Sequence, residues 1–247
     1  MVKNYRKWFL AHIKKAIYRY DMIRDGDRVA VAFSGGKDSF TLLWSLSLLR
    51  RSMPLNFDLA AIFVQLGWKM DVPVMEDYCR KLDIHFYVQE TDIAKIVFEE
   101  RREGSHCAIC SHLRRGALHS KALEIGFNKI ALGHHLDDVL ETFLMSLIYT
   151  GQLRVFAPVT FLDRTGLTMI RPMVNLSGED VRQFVQKENL PTVINPCPVN
   201  GHTSRETMKN LVAELEERFP AIKARFLTAM QTFDPNNLWP TEKNNER

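Results

Sequence analysis

Five short apolar runs punctuate the chain, and a helix-like stretch separates most of them. The runs are Val29 to Phe33, "FDLAAIFVQL" at 57–66, "IHFYVQET" at 84–91, Ile130 to Leu132, and "LTMIRPMV" at 167–174. The first two read as buried strands and the other three as further strands of the same sheet. Between them, residues 39–50, 71–82, 111–125 and 137–150 carry helical periodicity, and "DIAKIVFEERRE" at 92–103 is helix-like. In 137–150 the apolar pairs Val139/Leu140, Phe143/Leu144 and Leu147/Ile148 recur every four residues, with Gly151 at the stop position. "SGEDVRQFVQKENL" opens on a Ser-x-x-Asp cap. The alternation predicts an α/β, Rossmann-like fold: a parallel five-stranded sheet with helices on both faces. In such sheets ligands bind beyond the carboxyl ends of the strands. The loops after the first and fourth runs both carry glycine and both fall at that edge.

The remaining segments flank this unit. Residues 4–20 place Phe9, Leu10, Ile13, Ala16, Ile17 and Tyr20 on one helical stripe, with Lys3, Lys7 and Lys14 beside it. That basic face is either plain solvated surface or a contact for RNA phosphates. A Pro-rich stretch at 190–204, a polar helix over about 204–218, a second helix after Pro220 and a charged tail end the chain. The expected organisation is an N-terminal amphipathic helix (1–24), a nucleotide-binding domain (25–200) and a C-terminal helical segment (201–247). At 247 residues, 46% hydrophobic and 25% charged, the chain can bury a core without disulfides. It has no apolar run of 18 residues and no cleavable leader pattern, so we expect a cytoplasmic protein that does not span a membrane. A net charge of +4 is too small to argue for nucleic acid by itself.

The loop after the first strand reads Ser34-Gly35-Gly36-Lys37-Asp38-Ser39. Two glycines let backbone amides turn inward as an anion nest, and the following helix adds its own N-terminal amides. Lys37 can offset phosphate charge, Asp38 can hold a divalent cation, and Ser34 and Ser39 supply hydroxyls. The spacing is not a Walker A loop, because Lys37 is followed by Asp38, and no G-x-G-x-x-G is present. After the fourth strand, "LGHHLDDVLET" puts Gly133 and His134 at the strand end and Asp137 and Asp138 on the first helical turn, where carboxylates also suit the helix dipole.

Four cysteines remain: Cys79, Cys107, Cys110 and Cys197. Cys79 lies in the apolar-periodic "MEDYCRKL" and reads as a small core residue. Cys107 and Cys110 form a C-x-x-C pair that we expect in an irregular loop, followed by Arg114 and Arg115. A structural zinc site wants four ligands, and Cys79 or a His would have to complete it. Three thiolates on a four-iron cluster would instead leave one iron open for an exchangeable ligand such as sulfide.

The hexapeptide "SGGKDS" resembles the PP-loop of the adenine nucleotide α-hydrolase superfamily, whose members cleave ATP between the α and β phosphates. "ALGHHLDDVLETFLMSLIYTGQL", "CAICSHLRRGAL", "IRPMVNLSGEDV" and "LPTVINPCP" are similar to the matching segments of the tRNA 2-thiocytidine synthetases, so that the resemblance runs from about residue 3 to about residue 235. It implies ATP and Mg2+ as cofactors and a 4Fe-4S cluster held by Cys107, Cys110 and Cys197. It implies that the C2 carbonyl of a tRNA cytidine is adenylated and its oxygen replaced by sulfur. Asp38 and Lys37 would then serve catalysis with the three cysteines. Ser34, Gly35, Gly36, Ser39, Gly133, His134 and Asp138 would hold the nucleotide. Lys3, Lys7, Lys14, Arg114 and Arg115 would meet RNA. The expected partners are tRNA, a sulfur donor system such as a cysteine desulfurase, and a second copy of the chain as one option. The chain departs from the family pattern in reading "CPVNGHTS" where a further Cys is usual and "QLGWKM" after the second strand. An adenylating tRNA ligase, a sulfur enzyme for small molecules and a zinc-stabilised ATP- and RNA-binding module are the rival readings.

Overall fold

The computed structural model describes residues 4–100, 106–199 and 203–238. Its elements run α1 (Tyr5–Arg19), β1 (Arg28–Ala32), α2 (Lys37–Ser52), β2 (Asp58–Gln65), α3 (Val72–Lys81), β3 (His85–Glu90), α4 (Ile93–Lys95), α5 (His106–Glu124), β4 (Lys129–Ala131), α6 (Leu136–Thr150), β5 (Val159–Leu162), β6 (Leu167–Ile170), α7 (Gly178–Glu188), α8 (Ser204–Arg218) and α9 (Ile222–Gln231). The short α4 continues as a π-helical turn, Ile96–Glu100.

The sheet has six strands in the order β3-β2-β1-β4-β6-β5, not the expected five. The first five in that order are parallel, and β5 pairs antiparallel with β6. β5 escapes sequence reading because it is short, sits at the edge and turns Phe161 outward, 60% exposed. The fifth expected strand, 167–174, is in fact only 167–170; its remainder leaves the sheet as turns. From β1 the chain steps outward to β2 and β3 on one side, then returns to lay β4 and β6 on the other. The switch point therefore falls between β1 and β4, where the two glycine-bearing loops diverge.

Strand alternation divides the core between the two faces. Val29, Val31, Ala61 and Phe63 pack with α1, α2, α3 and α7, whereas Ala30, Ala60, Ile62 and Ile130 pack with Ile93, Val97, Leu118 and Ala122. The helix at 4–20 belongs to the first of these clusters: Phe9 stacks on Phe184 at 3.9 Å between ring centroids. Cys79 is fully buried there, and burial pushes its thiol up to about 12, in keeping with a packing role. α6 ends as its sequence predicts, with Gly151 in the left-handed region, and α7 has its Ser177–Asp180 capping box. Among the described residues no helix is long and apolar enough to cross a membrane.

Candidate functional site

The loop at 34–39 bends sharply out of β1. Gly35 adopts φ +81°, and a Cβ there would meet Met75 Sδ and Val193 Cβ, each at 3.2 Å. Gly36 caps α2 with no side-chain hydrogen bond, and while the Ser39 amide donates to the Gly36 carbonyl at 3.0 Å, those of Lys37 and Asp38 are left to an incoming anion. Ser39 Oγ donates to the Gly36 carbonyl at 2.8 Å, and Thr41 Oγ1 donates to that of Lys37 at 2.8 Å, which stiffen the turn. Lys37 Nζ and Asp38 Oδ1 pair at 2.5 Å, both partly exposed at the mouth of the loop.

The loop after β4 lies directly against this turn. A Cβ on Gly133 would come within 3.1 Å of the Asp38 carbonyl carbon, so glycine is what allows the two loops to touch. His135, absent from the expected site, is buried with Nε2 3.8 Å from Asp38 Oδ1 and Nδ1 3.4 Å from Asp138 Oδ2. Both acids of the "DD" pair have partners within the chain. Asp138 accepts from the His135 amide at 2.9 Å and from Arg205 at 3.1 Å. Asp137 accepts from the Gly178 amide and the Lys223 ammonium, each at 2.6 Å; burial opposes its charge, and these partners still hold its carboxyl below the usual range. His134 stacks on Phe156 and accepts at Nδ1 from Arg171 Nε at 3.2 Å. Burial pushes it down to about 4, so it is neutral at physiological pH.

The cysteine pair is not in a loop, as the sequence suggested: Cys107 and Cys110 occupy the first turn of α5. Their i, i+3 spacing puts both thiols on one helix face. Facing them is an open cavity of about 190 Å³, lined by Cys107, Cys110, Cys197, Trp68, Phe98 and Arg114 among others. A single water needs only about 10–15 Å³ on the same scale, so the cavity admits a group of many atoms. Burial pushes the Cys110 thiol up, Arg114 opposes this, and the nearby Cys197 and Cys107 add to it. Among the described residues no three His, Cys, Asp or Glu side chains converge tightly enough for one metal ion. A zinc ion needs its sulfurs about 2.3 Å from a single centre. Three thiols spread around a cavity instead suit a polynuclear cluster, whose thiolates bind different irons.

One segment joins the two halves of the site. The Val193 amide donates to the Gly35 carbonyl at 2.8 Å, and Cys197 follows four residues later on the cavity wall. The cavity's other walls rise from just beyond β2 (Leu66, Trp68) and β3 (Ala94, Phe98). Ser34 to Ser39, Gly133, His134, Asp138, the three cysteines and Arg114 therefore share the carboxyl rim of the sheet. Arg115 is exposed on α5, and its charge reaches His119 and Arg171. Lys7 and Lys14 stand on α1, which packs on α2 and α7, and neither lines the cavity; Lys3 lies outside the described residues. Sequence reasoning missed His135, Arg171, Asn195 and Thr203. His135 carried the clearest signal, as the neighbour of His134 in the loop after the fourth strand.

A family model described as a PP-loop domain matches residues 8–215. The tRNA-cytidine(32) 2-sulfurtransferase of Citrifermentans bemidjiense is 39% identical over 230 residues, 92% of this chain and 90% of that one. The enzyme of the same name from Syntrophotalea carbinolica is 41% identical over 228 residues, 91% of this chain and 88% of that one. Among solved structures, the U34-tRNA thiolase NcsA from Methanococcus maripaludis, with its 4Fe-4S cluster, superposes with a TM-score of 0.78 at 22% identity, covering 92% of this chain and 78% of that one, a likeness of fold. With a phosphate loop, a second rim pressed against it and three thiols beside it, the chain belongs to the PP-loop domain family and, within that, to the family of the tRNA-cytidine(32) 2-sulfurtransferases.

Proposed function

We propose that this protein is an ATP-dependent tRNA sulfurtransferase that replaces O2 of a tRNA cytidine with sulfur. The observation that carries the reading is the Gly35–Val193 hydrogen bond, which ties the phosphate loop to the strand of chain bearing Cys197. Activation at O2 and sulfur delivery at C2 need one substrate carbonyl within reach of both chemistries, and this tether supports that.

The chain's residues divide the work. The free amides of α2 and the Lys37 ammonium receive the phosphates. Asp38 is the carboxylate at the rim not used up in helix capping, and it would hold Mg2+; that ion keeps several waters and needs only one or two protein carboxylates. His134 is neutral and offers a hydrogen bond without taking a proton. The cytidine O2 attacks the α-phosphate, pyrophosphate leaves, and the oxygen becomes part of an AMP leaving group. Sulfur then forms a bond to C2 as the C2–O bond breaks and AMP departs. Cys107, Cys110 and Cys197 would hold the 4Fe-4S cluster. When bound, a cluster on three protein thiolates supplies an iron without a protein ligand, free to take an exchangeable sulfur ligand. Arg114, which lines the cavity, would meet an RNA phosphate, and we assign Arg115, Lys7, Lys14 and Lys3 to outer contacts with the tRNA.

The same reading implies a sulfur donor such as a cysteine desulfurase, a cytoplasmic location and no membrane partner, with a homodimer as an assembly to test. We further propose that 25–200 carries the chemistry, while 1–24 and 201–247 serve as supports within one folded unit. Nucleoside mass spectrometry of tRNA from a deletion strain tests the function. We expect 2-thiocytidine to vanish and return with the gene; its persistence would refute the reading, and loss of a thiouridine instead would move the substrate to another base.

A further inference from the structure

Arg171 follows the last residue of β6 and is only 4% exposed. Among the described residues no carboxylate lies in ion-pair range of it. Its Nη1 donates to the Ala157 carbonyl at 2.6 Å and to Thr160 Oγ1 at 3.1 Å, its Nε donates to His134 Nδ1 at 3.2 Å, and its guanidinium lies 4.7 Å from the centroid of the Phe156 ring. Burial pushes it down to about 10, with Arg115 adding, so it stays charged at neutral pH. A buried cation without an anion is costly, and such groups persist where the structure needs their geometry or where a ligand supplies the missing charge.

A guanidinium has only donors. The ring nitrogen it faces must therefore be an acceptor, which leaves the proton of a neutral imidazole on the other nitrogen. Phe156 clamps this arrangement from one side, stacking on His134 at 4.8 Å while it also receives the guanidinium. We propose that Arg171 is a positioning residue that locks His134 in the Nε2–H tautomer, so that the second rim presents a neutral N–H donor to the nucleotide and never a base. The proposal rests on reading this rim as the nucleotide site. The groups acting on the ring are consistent with it. Burial most of all, then Arg171, Arg205 and His135, disfavour a charged imidazole, and among the described residues only Asp138 favours one. Protonation at Nδ1 would set one N–H against another. A neutral donor suits a centre where pyrophosphate departs, because it stabilises developing charge without handing over a proton.

The test is long-range 1H–15N correlation spectroscopy on full-length, anaerobically prepared protein labelled with 15N-histidine. The wild type is expected to show His134 as Nε2–H, with no titration between pH 5.5 and 8. R171K keeps the cation but loses the planar Nε donor. In it and in R171M we expect a mixture of tautomers, and kcat for ATP cleavage lower by about 10-fold or more, with KM changed by less than about threefold. A merely structural arginine would lower the melting temperature without moving the tautomer. An Nδ1–H or imidazolium signal in the wild type at pH 7 overturns the proposal and needs no variant to fold. So does a folded R171K or R171M with both the wild-type tautomer and the wild-type rate. If the tautomer behaves as expected but the wild type neither binds nor cleaves ATP, the nucleotide reading falls and the Arg171–His134 lock stands.

Discussion

Replacing Gly133 with Ala should push the two rims of the site apart. The added Cβ would stand 3.1 Å from the Asp38 carbonyl carbon, 3.2 Å from its oxygen and 3.3 Å from its Cβ. All three contacts fall short of ordinary van der Waals separation by a few tenths of an ångström. Two of the atoms are main chain in the first turn of α2, and that turn is braced by the Thr41–Lys37 and Phe40–Gly36 hydrogen bonds. Relief therefore requires the turn to move as a body, at a cost of about 1–3 kcal/mol for an overpacked site. A misplacement of 1 Å can cost about 100-fold in rate, so a few tenths should lower kcat/KM for ATP by about 3- to 10-fold. Gly116 provides the control. It lies inside α5 with nothing within 4 Å of a built Cβ, and Gly116→Ala should stabilise the protein by about 0.5–1 kcal/mol. Urea unfolding and an anaerobic assay of ATP-dependent 2-thiocytidine formation measure the two effects. Gly133→Ala with the wild-type unfolding midpoint and kcat/KM would refute the contact. A stability loss with full activity would show that the contact is not part of the working site.

At Gly35 the same substitution meets a left-handed backbone as well as Met75 and Val193, so Gly35→Ala should abolish detectable ATP binding by calorimetry; retained affinity would mean the loop is not the phosphate site. Cys197→Ala should eliminate the visible absorption of a four-iron cluster in anaerobic protein while Cys79→Ala keeps it, and stoichiometric zinc without iron or labile sulfide in the wild type would sink the cluster assignment. Glu141 offers a pH prediction: its side chain is 6% exposed, and burial, with Asp138 and Asp137 adding, pushes its carboxyl up to about 7 against the opposing Arg205. An acid whose pKa is raised in the fold binds its proton more tightly there than in the unfolded chain. Its contribution is complete below the unfolded value of about 4.5 and is lost as pH rises through about 7. Glu141→Gln should thus flatten the decline in stability between those limits, by up to about 3 kcal/mol at pH 8; equal slopes in denaturation at pH 5, 6, 7 and 8 would count against it.

What the sequence made legible follows from which interactions are local. Strand runs, helix caps and the glycine turn at 34–39 are written in neighbouring residues, because backbone geometry and alternation are decided within a few positions. The cysteine pair reads as loop because the polar, Gly-containing stretch before it does, and because Ile109, Cys110 and Leu113 are only partly buried against the core, whereas the fully buried residues of α5, Leu118 and Ala122, come later. β5 leaves a weaker trace because it is only four residues long, Val159–Leu162, and joins β6 without an intervening helix, so the strand–helix alternation that marks the others is absent. The side chains that organise the site are further still from local reading. Arg171 lies 37 residues from His134 and Val193 lies 158 from Gly35, and each contact exists only because the order β2-β1-β4-β6 brings those loops to one rim. An arginine directly after a strand on an already chosen rim is the trace such a residue leaves in sequence. It becomes informative only when the strand order is known, because the same "IRP" on an outer strand would face solvent and hold nothing.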